Sequence, residues 1–216
     1  MRCLVTAGPT YEPLDQVRRL TNFSTGALGS ALANLLAERG HDVTLLKGSY
    51  ATTPIQPKAQ RVEIFSTTSD LSRRLAALAG EKIEAVFHAA AVSDFSFGKI
   101  FAQSARGNLR EITSGKFSTR DGPLLAELVP TPKLLGQMRG WFPTALICGW
   151  KYEVEGDRAS VAEKGRLQIS ENQTNACVIN GPAYGEGFGF VSAAGTKHMG
   201  DSGELCRFLE GWARGI

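Results

Sequence analysis

The sequence predicts an α/β fold: a three-layer, doubly wound, mostly parallel sheet of Rossmann-like type with an inserted β arm. Short apolar runs alternate with segments of helical periodicity along most of the chain, the order expected of βαβ units. The runs are apolar throughout rather than alternating, as strands buried on both faces must be. The rhythm breaks over residues 96–123, where polar residues and Gly98, Gly107, Gly115 and Gly122 replace any sustained periodicity. A long irregular connection of this kind marks an inserted arm. With no linker and no internal repeat, the 216 residues are read as one domain carrying that arm.

The elements follow in order. Cys3-Leu-Val-Thr-Ala7 is a buried strand closed by Gly8-Pro9-Thr10. Leu28, Ala31, Leu32, Leu35 and Leu36 recur at helical spacing, and Gly40 is a natural stop. Asp42-Val-Thr-Leu-Leu46 and Val62-Glu-Ile-Phe65 are strands; between the second and Ala85-Val-Phe-His88, a helix carries Leu71, Leu75 and Leu78 behind cap candidates Thr67 to Asp70. After the arm, order returns at Leu124-Leu-Ala-Glu-Leu-Val129, and Thr131-Pro132 opens a short helix through Leu134, Leu135 and Met138. Ala145 to Cys148 is a strand ending at Gly149-Trp150-Lys151, Ser160 to Ile169 a helix, and Ala176 to Ile179 a strand ending at Asn180-Gly181. Leu205, Phe208, Leu209 and Trp212 give an amphipathic C-terminal helix.

Composition excludes several classes. The 24 Lys and Arg against 21 Asp and Glu leave +3, too small and too evenly spread for nucleic acid, although a local anion site remains open. Cys3, Cys148, Cys177 and Cys206 lie far apart without metal-ligand spacing, three of them in or beside apolar runs, so they read as buried thiols. No run approaches the roughly 18 apolar residues of a membrane span. A cytoplasmic protein without membrane or nucleic-acid partners is expected. The chain lacks GxSxG, GxGxxG and Tyr-x-x-x-Lys patterns, and His41, His88 and His198 show no partner spacing. That argues against serine hydrolases and ordinary dinucleotide reductases.

Ligands of open α/β sheets bind beyond the carboxyl ends of the strands, so the site is sought in Gly8–Gly29, Val92–Phe95, Gly149–Lys151 and Asn180–Gly181. Ser24, Thr25 and Gly26 lie where a helix begins, a place suited to phosphate or carboxylate, or where Ser24 or Thr25 simply caps the helix. Asn22 both donates and accepts, which suits a carbonyl or acyl-phosphate oxygen.

The run TAGPTYEPLDQVRRLTNFSTGALG (6–29) resembles the signature loop of the phosphopantothenate–cysteine ligase family, with Thr25 replacing a second serine. The resemblance extends to AAAVSDF (89–95), LLAELVPTPKLL (124–135) and VIN (178–180), and so covers most of the chain. It implies a coenzyme A biosynthetic ligase that joins 4′-phosphopantothenate to cysteine through an acyl-nucleotidylate, using Mg²⁺ with CTP or ATP. A divergent paralogue that binds these ligands without turnover is the alternative. The resemblance makes Asn22 and Lys116 catalytic, and gives Gly8, Ser24, Thr25, Gly26, Ala89, Ala90, Asp94, Pro132, Leu134, Leu135, Trp150 and Lys164 to the nucleotide. Without it, Asp94 reads as a cap or turn residue; Trp150 stands where the family usually has phenylalanine, and the resemblance implies that it stacks on a base or packs the pocket. No metal ligands are identified, no FMN is expected, and a homodimer is implied in which the arm reaches the partner's site. The chain departs from the family in its lysines. A KxKK motif is reduced to Lys116, with Lys99 a rival placement; Gln168 stands for a second helix lysine, and Lys133 where an acidic residue is common. Lys151 and Arg120 are candidates to compensate.

Overall fold

The computed structural model describes residues 1–216, the side chain at position 121 excepted. The chain forms β1 (Arg2–Ala7), a small hairpin of β2 (Tyr11–Pro13) and β3 (Arg19–Thr21), α1 (Ala27–Glu38), β4 (Asp42–Gly48), β5 (Arg61–Phe65), α2 (Thr68–Ala77) and β6 (Ala85–His88). The arm follows as β7 (Phe95–Gln103), β8 (Leu109–Glu111) and β9 (Leu124–Pro130). Then come α3 (Leu134–Trp141), β10 (Leu146–Tyr152), α4 (Arg158–Asn172), β11 (Ala176–Asn180), a hairpin of β12 (Phe188–Ser192) and β13 (Gly195–Met199), and α5 (Ser202–Arg214).

The main sheet has eight strands in the order β13-β12-β11-β10-β6-β1-β4-β5. From β11 to β5 they run parallel, and β12 and β13 close one edge antiparallel. The chain builds outward from β1 through β4 to β5, then crosses back to lay β6 on the other side of β1. The switch point therefore falls between β1 and β6, the place where open sheets of this kind bind their ligands.

Successive residues of each strand serve opposite layers. Val5, Phe87, Leu45 and Phe190 face α1 and α5, meeting Leu32, Leu36, Leu205 and Leu209. Leu4, Val86, Leu46 and Ile147 face the other way, onto Leu71 and Leu75 of α2 and Leu134 and Met138 of α3. Burial of each such side chain contributes about 1.5–3 kcal/mol. All four cysteines are free and buried. Among the described residues no helix is long and apolar enough to cross a membrane.

Three parts of the chain differ from expectation. The segment read as re-entry at Leu124 is the arm's return strand: β9 pairs antiparallel with β7 from Phe95↔Pro130 to Ala102↔Leu124, with a bulge between Phe97 and Ile100. The arm is thus a three-stranded sheet, β8-β7-β9, wider than 96–123. The long loop after β1 contains the β2–β3 ribbon, and the glycine-rich stretch after β11 contains β12 and β13.

The loop after β1 is pressed onto the end of β4. A Cβ on Gly48 would lie 2.4 Å from the Pro9 carbonyl oxygen, a backbone atom with no rotamer to yield. Gly48→Ala is expected to destabilise the fold by about 2 kcal/mol, lowering Tm by about 5 °C in a thermal melt; an unchanged Tm would show that this contact does not constrain the loop.

Candidate functional site

At the switch point the loops after β1 and β6 are joined through Ala91. Ala91 N–H donates to Gly8 O (3.0 Å), and Ala91 O accepts from Thr10 N–H (3.1 Å), so Pro9 and Ala91 form a parallel bridge beyond the sheet proper. Asn22 Nδ2 donates to the same Ala91 oxygen at 3.2 Å. Below this, Ala89 N–H donates to Thr6 O (3.2 Å) and Ala90 N–H to Thr6 Oγ1 (3.1 Å). Thr6 Oγ1 is also 2.9 Å from His88 Nδ1. Burial lowers the His88 pKa to about 4, so the ring is neutral near pH 7 and shares one hydrogen bond with the Thr6 hydroxyl. Asp94, next along, is exposed and ion-paired with Lys133; Ser93 N–H is held by Thr10 Oγ1 at 2.8 Å.

The start of α1 lies beside Gly8. Its N-cap is Gly26, in the left-handed region at φ 75°, and no side chain caps it. A Cβ there would meet Ala51 Cβ at 2.9 Å and Gly8 Cα at 3.1 Å, so only glycine suits this position. Neither Ser24 nor Thr25 is the N-cap; Thr25 Oγ1 accepts from Ala27 N–H at 3.3 Å. With no acidic residue in the first turn and Ala27 N–H taken by Thr25, the following N–H groups are the ones suited to an anion.

Lys116 is held by the hairpin tip. Asp15, whose side chain is fully buried, accepts from Val17 and Arg18 N–H through Oδ1 (2.8 and 2.7 Å) and from Phe117 N–H through Oδ2 (3.2 Å). Arg18 donates to Phe117 O at 2.6 Å, and Gln16 N–H to Gly115 O at 3.0 Å. Residues 115–117 are thus strapped to the 15–18 turn. Desolvation pushes the Asp15 carboxyl up, but its backbone donors and Arg18 outweigh it and hold the pKa below the ordinary value. Lys99 lies elsewhere on the arm, paired with Glu111.

Trp150 and Lys164 belong to the β10–β11 side. Trp150 packs against the core shared by α1 and α5, and its indole N–H is buried without a partner among the described residues. Lys164 and Lys151 both pair with Glu153, at 2.5 and 3.2 Å. Desolvation raises the Glu153 pKa, but these two lysines win and hold it below the usual range. Gln168 Nε2 turns inward, 3.2 Å from Cys177 Sγ. Leu134 is buried among Leu75 and Met138, so only its backbone is open to a ligand; Leu135 is partly buried and Pro132 exposed. Asn180 and Gly181, among the loops singled out from sequence but given no role there, line an open groove of about 500 Å³ with Tyr152, Pro182 and Phe188.

The structure therefore gathers Gly8, Asn22, Ala89, Ala90 and Asp94 at the switch point and Ser24 to Gly26 beside it. Lys116 rides on the hairpin, and Trp150 and Lys164 lie toward β10. A family model described as the DNA/pantothenate metabolism flavoprotein C-terminal domain matches residues 1–202. The chain belongs to that family. The coenzyme A biosynthesis bifunctional protein CoaBC of Thermococcus kodakarensis is 32% identical over 179 residues, 83% of this chain but 41% of that protein; the chain thus spans less than half of this relative. The crystal structure of the DNA/pantothenate metabolism flavoprotein from Streptococcus pneumoniae superposes with a TM-score of 0.88 at 24% identity, covering 100% of this chain and 99% of that one. A Cab2 variant in complex with phosphopantothenate-cysteine superposes at 0.74 and 21% identity, covering 99% and 87%. Both are similar to this chain in fold.

Asp15→Ala removes the acceptor that joins the hairpin turn to the arm. Trypsin is expected to cut at Lys116 or Arg120 at least several-fold faster in this variant under native conditions, with Tm little changed. Equal cleavage rates would mean that the strap does not order the lysine.

Proposed function

We propose that the chain is a phosphopantothenate–cysteine ligase, which joins 4′-phosphopantothenate to cysteine through an acyl-nucleotidylate with ATP or CTP as co-substrate. The observation that carries this reading is Asn22 on Ala91 O. One side-chain N–H is committed to the backbone, which fixes the amide where the two strand-end loops meet and leaves its second N–H and its carbonyl for a ligand. The family match and the product-bound Cab2 variant of the same fold support it.

In the first step a carboxylate oxygen of phosphopantothenate attacks the nucleotide α-phosphorus, and the bond to pyrophosphate breaks. Asn22 donates to the acyl oxygen and holds the carboxylate in line, while the N-terminal N–H groups of α1, with Ser24 and Thr25, receive phosphate oxygens. In the second step the cysteine amine attacks the acyl carbon. The acyl–oxygen bond breaks, the nucleoside monophosphate leaves, and the nitrogen loses its proton. Negative charge grows on the departing phosphates in both steps, and Lys116, ordered by the hairpin, is the cation assigned to it. Lys164 on α4 and Trp150 on β10 are assigned to the nucleotide, with Leu135, Pro132 and the backbone of Leu134 at the start of α3.

Mg²⁺ neutralises triphosphate charge and polarises the α-phosphorus when bound. Mg²⁺ commonly takes one or two protein carboxylates; Asp94, released from Lys133, would be the carboxylate to hold it. A homodimer accords with the exposed Phe95, Leu125, Leu128 and Val129 of the arm, and a cytoplasmic location with four free thiols.

With Mg²⁺, phosphopantothenate and cysteine, the protein is expected to release pyrophosphate and nucleoside monophosphate from ATP or CTP in step with amide product. Nucleotide binding without product from either would favour the non-catalytic paralogue. Asn22→Asp, which replaces a donor with a charged acceptor, should lower kcat by about 10²–10³ without lowering Tm; full activity would remove Asn22 from the mechanism.

A further inference from the structure

We propose that Lys133 is a phosphate-binding cation for the nucleotide at the start of α3, and that its ion pair with Asp94 is an exchangeable contact that the bound nucleotide takes apart. This rests on the ligase reading. It gives a role to a residue at which the chain departs from the family, where an acidic side chain is common.

The two side chains meet because the backbones behind them are clamped. Thr131 N–H donates to Asp94 O at 2.9 Å and Thr131 Oγ1 to Ser93 O at 2.5 Å. Phe95 pairs with Pro130 where the arm leaves and rejoins the domain. Lys133 Nζ then donates to Asp94 Oδ1. Opening that pair moves two side chains, while the end of β6 and the start of α3 stay in place.

Among the ion-paired cations of the site, Lys133 is the one most easily freed. Lys151 and Lys164 share Glu153, whose side chain is 16% exposed, and Arg18 pairs with the fully buried Asp15. Parting either carboxylate from its partners leaves a poorly hydrated charge, a costly state. Lys133 and Asp94 are 72% and 67% exposed, so water receives both ends and the pair itself contributes little to stability. Nor does α3 favour this lysine. Lys133 is its N-cap, no side chain caps the helix, and the first turn carries no acidic residue. A cation at that end opposes the helix dipole, whereas an arriving anion is attracted by both.

The pair also stands beside the wall assigned to the nucleotide. A Cβ on Gly149 would lie 3.0 Å from Leu135 Cδ2 and 2.5 Å from Gln168 Nε2, so α3, the end of β10 and α4 close around one glycine. Gln168 brings no charge to that junction and is turned toward Cys177. Lys133, two residues before Leu135, supplies a cation from the α3 side. As the Mg²⁺-bound nucleotide enters, Asp94 exchanges the ammonium for the metal and Lys133 exchanges the carboxylate for phosphate oxygen. Neither charge is left unpaired.

Equilibrium titration of the whole chain with ATP and with CTP, in Mg²⁺ or in EDTA, tests this. Lys133→Met is expected to weaken nucleotide binding about tenfold in both conditions, the fold-change of a lost charge-assisted hydrogen bond, with Tm unchanged. Asp94→Asn removes the competing carboxylate, so metal-free nucleotide should bind several-fold more tightly than to wild type, while the enhancement by Mg²⁺ shrinks. In the double variant the metal-free gain disappears. A purely structural pair predicts a lower Tm in both single variants and no gain in affinity. Unchanged affinity in Lys133→Met, or Asp94→Asn binding metal-free nucleotide no more tightly than wild type, would overturn the proposal. A wild-type protein that binds neither nucleotide would overturn the ligase reading itself, so the two failures are distinguishable.

Discussion

The backbone of Ala91 holds the site together. Its N–H and its oxygen are both committed to the loop after β1, and the oxygen takes Asn22 as well. An open α/β sheet separates its strand-end loops at the switch point; here a backbone bridge crosses that gap before any ligand does. The position of Asn22 is therefore set by the two most buried strands, β1 and β6, and not by the long loop that carries it. Thr6 and neutral His88 lie beneath as a hydrogen-bonded support, and burial disfavours a protonated imidazole at that position.

The same loop distributes positive charge. Its hairpin tip orders Lys116 through Asp15, and its second strand holds Arg19 between two tyrosines. On the far side, one carboxylate, Glu153, serves both Lys151 and Lys164. That pairing keeps two like charges close together, and under the proposed function a triphosphate entering there would exchange for Glu153 rather than add to a bare cluster. Gln168, which stands where the family resemblance implies a lysine, is turned toward Cys177 and contributes packing instead of charge. The small net surplus of +3 thus conceals a site in which most cations are neutralised in place.

Much of the fold was legible because its strands are buried on both faces. Runs such as Cys3–Ala7 and Ala85–His88 have no polar position to confuse them, and Gly40 stops α1 where expected, at φ 80°. The β2 and β3 strands escaped because each is three residues long, and their turn is closed by the Asp15 carboxylate rather than by an Asn-Gly pair. The β12–β13 hairpin escaped because Gly187, Gly189 and Gly195 dilute its alternation. Leu124–Pro130 misled because its apolar residues are exposed on the arm, whereas an apolar run usually signals the core. At the site, the residue types of Asn22 and Ser24 to Gly26 were suggestive, but the contacts were not: Asn22 meets Ala91 across 69 positions and Arg19 meets Tyr50 across 31. Neither contact follows from spacing, since each is made by a strand order that only the folded sheet defines.

We propose that the switch-point site activates a carboxylate by transferring a nucleotidyl group to it. Isotope transfer from phosphopantothenate labelled with ¹⁸O in its carboxylate tests that claim most directly, in a single turnover with cysteine, Mg²⁺ and CTP or ATP. Attack at the α-phosphorus followed by amine attack at carbon predicts one ¹⁸O in the nucleoside monophosphate and none in pyrophosphate. Label in an inorganic phosphate product, or amide formation without any label in the nucleotide, would contradict it.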